Sequence, residues 1–124
     1  MAKLTRDRNT KRRDGVYYGL PAGEEIFAGA LVAVNSDGEA VSATADGKNV
    51  LGVAQHAART GHLLHVRRGV FAFIDDKADI TRADIGATAY VVDDQTVGKA
   101  GTAGTTAEAG VIFDVDSDGV WVKI

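Results

Sequence analysis

The sequence predicts an all-β protein, and three observations carry this prediction. Turn signals rich in Gly, Asn and Asp recur about every ten residues, a spacing typical of a β-sandwich or β-barrel. The chain contains 15 Gly and one Pro, which disfavours long helices because each interior Gly costs about 1 kcal/mol relative to Ala. Residues 111–124 place an acidic turn ending at Gly119 between two runs rich in Val and Ile, which is a hairpin pattern.

The apolar segments between the turns define the expected strands. In chain order these segments are 26–34 (with a kink at Gly29), 39–43, 50–54, 63–74, 87–92 and the two halves of the terminal hairpin. Segment 63–74 is the longest candidate and is interrupted by Gly69, whereas residues 98–110 fit a loop or a weak edge strand. Thr81 followed by Asp84 resembles a capping box with Asp in place of Glu, and we expect one short helical turn near 81–85.

The charge is divided unevenly along the chain. Residues 1–15 contain six basic residues and two aspartates, a balance of +4; since the whole chain carries −3, the other 109 residues carry −7. This leading segment is too poor in apolar residues to offset its own ordering entropy. We therefore assign residues 1–18 to an extended basic arm and residues 19–124 to a β-barrel or β-sandwich body. The arm is either a solvated tail or a segment that lies on an acidic surface or nucleic acid.

No pattern in the sequence predicts catalysis, a cofactor or a metal site. Asp114 to Gly119 matches the opening of a calcium-binding loop, but that loop needs a Glu at its twelfth position and flanking helices, so a hairpin turn is favoured. His56, His62 and His65 lack the spacing of metal ligands and are interpreted as surface or loop residues. The chain has no Cys, no nucleophile elbow and no phosphate-binding loop.

Localisation follows from what the chain lacks. No apolar run approaches the ~20 residues of a membrane span, and the basic N-terminus has no apolar region of a secretory signal. We therefore expect synthesis in the cytoplasm.

Arg67 and Arg68 lie in the middle of the longest strand candidate, flanked by apolar residues. One of them could face a partner subunit, since the planar guanidinium pairs with carboxylates and stacks on aromatic rings; an exposed sheet face is the equal alternative. Direct binding of nucleic acid is disfavoured because the basic residues are concentrated in the arm, whereas the body carries a net negative charge.

Residues 20–34 resemble the opening of the small capsid decoration (cement, or head-stabilising) proteins of tailed bacteriophages, Pro-Ala-Gly-x-x-Ile-x-x-Gly-x-Leu-Val. Residues 51–54, 68–71, 85–97 and 110–124 fit the same pattern, so the likeness covers most of 20–124. Each motif is weak alone, and their order along one chain is the specific part. The resemblance implies a small β-barrel or sandwich on the outer surface of the virion capsid.

The same resemblance implies a non-enzymatic structural protein that bridges neighbouring major capsid protein subunits. It implies a homo-oligomer, with a trimer favoured over a dimer, and an arm that reaches adjacent subunits. The rival class is a virion-displayed binding module for carbohydrate or nucleic acid, and an enzyme would require a pocket with convergent polar groups. The residues expected to bind the capsid or a neighbouring subunit are Lys3, Arg6, Arg8, Lys11, Arg12, Arg13, Tyr17, Tyr18, Arg67 and Arg68.

Overall fold

The structure, a computed structural model, describes residues 3, 5–9, 13–47, 49–99 and 107–124. Within these residues the chain forms ten strands and one 3-10 helix at Arg82–Asp84. The strands are β1 (Val16–Pro21), β2 (Leu31–Val34), β3 (Ala40–Ser42), β4 (Val50–Ala54), β5 (Leu63–Arg67), β6 (Val70–Asp75), β7 (Thr88–Val91), β8 (Thr96–Gly98), β9 (Glu108–Asp116) and β10 (Gly119–Lys123).

The predicted all-β class with a β-barrel is confirmed, and the described residues add an open sheet to that barrel. The first sheet is open and has the order β1-β5-β4-β2-β3, while β10-β6-β8-β7-β9 close into a barrel. Neighbouring strands are antiparallel except for β6 and β8, which run parallel. The strand predicted at 50–54 is β4, and the strand predicted at 87–92 corresponds to β7.

The predicted long strand at 63–74 is two strands that belong to different sheets. β5 ends at Arg67 in the open sheet, and β6 begins at Val70 in the barrel. Between them, the Arg68 N–H donates to the Gly15 carbonyl at 2.9 Å, and the Gly69 carbonyl accepts from the Ile124 N–H at 2.9 Å. Because these two neighbours bond to different sheets, the chain changes sheet here.

The prediction of a strand at 26–34 is wrong for the first half of that segment. Only Leu31–Val34 forms a strand, because Gly29 has a φ of +88°, a left-handed conformation that breaks extended structure. The preceding residues instead cover one side of the open sheet, where Ile26 and Ala58 exchange backbone hydrogen bonds at 2.9 Å.

The predicted helical turn near 81–85 is confirmed as the 3-10 helix with a complete capping box. The Thr81 hydroxyl accepts from the Ala83 N–H at 3.3 Å, and Asp84 Oδ2 accepts from the Thr81 N–H at 2.8 Å. Lys99 Nζ lies 3.2 Å from the same carboxylate. The Thr81 N–H, and then Lys99, hold the pKa of Asp84 below its ordinary value.

The terminal hairpin is confirmed, with Ser117 and Asp118 as its turn between β9 and β10. The Asp118 N–H donates to Asp116 Oδ1 at 2.8 Å, which closes the turn locally. The calcium-like segment from Asp114 to Gly119 is therefore a strand end and a turn. In the predicted weak segment 98–110, β9 begins at Glu108, and residues 100–106 lie outside the described residues.

The described residues of the body pack around two apolar cores. The larger core fills the barrel and also takes Leu31, Ala33 and Val53 from one face of the open sheet. The smaller core lies on the other face of that sheet, where Val32, Leu64 and Val66 pack under the segment around Ile26. Since β5 carries its buried residues only on this second side, its opposite side faces solvent beside the barrel.

Candidate functional site

The pairing of β1 with β5 brings the arm next to Arg67 and Arg68. Val16 lies opposite Arg67, and Tyr17 lies opposite Val66. Arg13, Tyr17, Tyr18 and Arg68 line one groove of about 280 Å³ at the base of the arm. Five of the ten residues predicted to bind a partner therefore lie around the β1-β5 edge of the sheet, although the two strands are far apart in the sequence. Arg67 projects to the exposed side of β5, and Tyr17 projects to the side of the buried Val66. We call this the arm-root surface: Arg13, Tyr17, Tyr18, His65, Arg67 and Arg68.

A β-bulge in β1 directs Tyr18 outward. Tyr17 pairs with Val66 and Leu20 pairs with Leu64, so Tyr18 and Gly19 together oppose the single residue His65. Gly19 adopts a φ of +69°, which Gly tolerates without strain. Tyr18 is 63% exposed, and its ring meets the ring of His65 edge to face, with centroids 5.2 Å apart. Bulges at sheet edges commonly redirect a side chain in this way.

His56 extends this row of rings. Its ring centroid lies 5.2 Å from that of His65. The His65 N–H donates to His56 Nε2 at 3.2 Å, while His56 Nδ1 lies 2.9 Å from the Ala57 carbonyl. Because Nε2 accepts a hydrogen bond, the neutral ring carries its proton on Nδ1 and donates it to that carbonyl. Tyr18, His65 and His56 thus form an ordered edge on the solvent side of the sheet.

Asp14 fixes the Tyr18 side chain from the arm. The Tyr18 hydroxyl donates to Asp14 Oδ2 at 2.9 Å, and Asp14 Oδ1 accepts from the Val16 N–H at 3.3 Å. The hydrogen bond to Asp14, with the negative charge of that carboxylate, raises the pKa of Tyr18, while the positive charge of Arg67 opposes this rise. Tyr18 therefore stays a neutral hydrogen-bond donor, held between an anion and a cation.

Replacing Asp14 by Asn should lower the pKa of Tyr18 towards its ordinary value, because the charge that penalises tyrosinate is lost. The raised pKa means that the folded protein favours the neutral phenol of Tyr18. The hydrogen bond to Asp14 therefore stabilises the fold at pH values below the ordinary Tyr pKa of about 10, and this stabilisation is lost as the pH rises through the pKa of Tyr18 in the folded protein. Absorbance titration of tyrosinate, with Tyr18→Phe to assign the transition, measures the shift. Asp37→Asn removes one carboxylate from a distant exposed turn and should leave the titration unchanged; an equal shift there would contradict the assignment to Asp14.

The other predicted site residues have different outcomes. Lys3, Arg6 and Arg8 are exposed, and their roles stay a prediction. Lys11 and Arg12 lie outside the described residues. The division into an arm at 1–18 and a body at 19–124 also stays a prediction, with β1 beginning at Val16.

The structure adds two residues that sequence reasoning did not include in the site, His56 and His65. Alternation along β5 could have identified His65, since Leu63, His65 and Arg67 fall on the exposed side. No sequence pattern identifies His56, because its position in the site depends on the hydrogen bond that it accepts from the His65 N–H, nine positions along the chain.

The described residues contain no cluster of three or more His, Cys, Asp or Glu side chains that could hold a metal ion. In the same part of the chain, no helix has the length and apolar content needed to cross a membrane. Neither the models of known protein families nor the curated proteins yield a match to this sequence. The arm-root surface combines exposed cations with exposed aromatic rings.

Proposed function

We propose that this protein is a structural component of a phage particle that binds the outer surface of the capsid. In this role it stabilises the shell by bridging neighbouring major capsid protein subunits, without catalysis, and its basic arm reaches adjacent subunits. The resemblance at 20–124 supports a homo-oligomer, with a trimer favoured. The observation that carries the proposal is the arm-root surface, where cations and exposed aromatic rings meet on an otherwise acidic body.

The chemistry of this surface suits an acidic protein partner. Arg67 and Arg68 are both exposed, and guanidinium groups pair with carboxylates through two parallel hydrogen bonds. Tyr18 adds a large apolar contact with a polar tip, a side chain enriched at protein interfaces. Because a capsid repeats the same surface many times, contacts of modest strength at body and arm add up through avidity.

Charge reversal at Arg67 and Arg68 tests the proposal. The double variant Arg67→Glu/Arg68→Glu should weaken co-sedimentation with capsids by about tenfold or more, which corresponds to about 1.4 kcal/mol. The control Lys77→Glu/Arg82→Glu makes the same change in net charge at exposed residues of the barrel end and should bind as the wild type does. Deletion of residues 1–15 should leave a folded body that attaches weakly. Unchanged attachment of both the double variant and the deletion would overturn the proposal.

One observation favours the second candidate, a virion-displayed binding module for nucleic acid. The ring row of Tyr18, His65 and His56 lies beside Arg67, and single-stranded nucleic acids are bound by aromatic rings next to cations. Salt titration distinguishes nucleic-acid binding from capsid attachment, because contacts to phosphates make the logarithm of the affinity fall steeply and linearly with the logarithm of the salt concentration. Tight, salt-sensitive binding of an oligonucleotide, lost in Arg67→Glu/Arg68→Glu, would favour this alternative over capsid attachment.

A further inference from the structure

The outer side of β7 carries a pocket that shares no residue with the arm-root surface. Along β7, Ala89 and Val91 are buried in the barrel, whereas Thr88 and Tyr90 are half-buried on the opposite side of the strand. The pocket on that side has a volume of about 380 Å³, within the range of about 300–1,000 Å³ that is usual for small-molecule sites. We call it the β7 pocket, and its described lining residues are Asp84, Ala87, Thr88, Tyr90, Lys99 and Ile112.

An ion pair supplies the charged groups of this pocket. Lys99 Nζ lies 3.2 Å from Asp84 Oδ2, which also accepts from the Thr81 N–H at 2.8 Å. Since both contacts use Oδ2, Asp84 Oδ1 has no hydrogen-bond partner among the residues that the structure describes. An ammonium group has three protons to donate, and Lys99 remains 40% exposed. The β7 pocket therefore offers an acceptor and a donor side by side.

Two hydroxyl groups add to this set. The side chains of Thr88 and Tyr90 make no hydrogen bond within the described part of the chain, although both are half-buried. A β-bulge lies beside them, because Ala89 pairs with Gly110 while Tyr90 pairs with Glu108, which leaves one extra residue in β9. Bulges of this kind occur next to functional sites, where they redirect side chains. The two hydroxyls are thus free to bind a ligand.

We propose that the β7 pocket binds a neutral saccharide. A sugar hydroxyl donates and accepts hydrogen bonds at the same time, so one such group can donate to Asp84 Oδ1 while it accepts from Lys99. Further sugar hydroxyls can pair with the side chains of Thr88 and Tyr90. The Tyr90 ring also offers an apolar surface to the C–H groups of the sugar, since aromatic residues combine an apolar body with a polar tip.

The charges around the pocket disfavour other classes of small ligand. An anion such as phosphate would meet the carboxylate of Asp84 and also that of Glu108, which is exposed and lies opposite Tyr90 on β9. A cation would meet the ammonium group of Lys99. A purely apolar ligand would remove water from the ion pair and the hydroxyls without replacing their hydrogen bonds. A neutral ligand with many hydroxyls incurs none of these costs.

The test titrates the full-length protein with glucose, galactose, mannose and N-acetylglucosamine and follows the backbone amide NMR signals. At least one sugar should bind with a Kd in the millimolar range, as expected for so few atoms, and should shift the signals of Thr88, Tyr90 and Lys99. The double variant Thr88→Val/Tyr90→Phe removes both hydroxyls at nearly constant volume. It should weaken binding by about tenfold or more, while its urea unfolding should match that of the wild type.

The matched control Tyr17→Phe/Thr60→Val removes the same two groups outside the pocket and should bind the sugar as the wild type does. Lys99→Met should weaken binding because it removes the donor, and inorganic phosphate should leave the signals of the pocket unshifted. The variant Thr88→Val/Tyr90→Phe should still attach to capsids, since attachment is assigned to the arm-root surface, so the two proposals fail separately.

Three results would overturn the inference. One is that none of the four sugars shifts the signals of the pocket, and another is that phosphate does. The third is a Thr88→Val/Tyr90→Phe variant that binds the sugar as tightly as the wild type or that loses stability, because its hydroxyls would then serve no ligand or would serve the fold.

Discussion

Replacing Leu31 by Ala should destabilise the whole protein by about 3 kcal/mol, within the range for buried Leu. Leu31 is fully buried, and although it belongs to β2 of the open sheet, its side chain packs in the barrel core. Its N–H donates to the Asp94 carbonyl, in the turn between β7 and β8, at 2.8 Å. Truncation leaves a cavity between two sheets that are both anchored by other contacts and cannot close over it.

Urea unfolding followed by the fluorescence of Trp121 measures this loss. The probe is well placed, because Trp121 is the sole Trp of the chain and lies on β10 of the barrel, whereas the mutation lies in the open sheet. Leu63→Ala is the matched control, since Leu63 is 62% exposed; its effect should stay within about 0.5 kcal/mol. Equal effects of the two substitutions would show that Leu31 is not a core residue.

The same experiment tests whether the two sheets unfold together. If the shared core couples them, circular dichroism and Trp121 fluorescence should give coincident transitions, both shifted by Leu31→Ala. If Leu31→Ala leaves the fluorescence transition unshifted and divides the circular dichroism transition into two steps, the barrel folds independently of the open sheet.

Local sequence features predicted the parts of this fold that depend on local chemistry. The capping box between Thr81 and Asp84, the β4 segment and the terminal hairpin all follow from residues within a few positions of each other. The sequence also indicated Gly69 as an interruption, but not that the chain changes sheet there. That change depends on hydrogen bonds from Arg68 to Gly15 and from Ile124 to Gly69, which link distant parts of the chain.

The candidate site divides in the same way. Composition and position in the sequence indicate Arg67, Arg68, Tyr17 and Tyr18, and the pairing of β1 with β5 brings these residues close to one another. The orientation of Tyr18 could not be predicted, because it depends on a one-residue register shift against His65, and such a shift sends side chains to the opposite side of a sheet. A register is fixed by the partner strand, which a single sequence does not identify.

Replacing Gly110 by Ala should also cost about 3 kcal/mol, the upper end for overpacking. Gly110 lies in β9 opposite Ala89 of β7. A Cβ at this position would overlap the carbonyl oxygen of Lys123 and lie 3.1 Å from a methyl group of Val122. The carbonyl cannot turn away, because Lys123 is held in β10 by pairing with both β9 and β6. The barrel must therefore open between β9 and β10, or β9 must bend away from β10.

The matched control is Gly15→Ala, where the nearest atom to the new Cβ is the Cβ of Arg68 at 3.8 Å, an ordinary contact. An added methyl group at a compatible site restricts the unfolded chain and stabilises by about 0.4–1 kcal/mol, so this control should be neutral or slightly stabilised. Urea unfolding compares the two variants, and amide hydrogen exchange locates the damage. Amide exchange should accelerate first in β9 and β10, because the new Cβ would overlap the Lys123 carbonyl oxygen between these two strands. A Gly110→Ala variant as stable as the control would mean that the barrel closes with more room between these strands than the structure has.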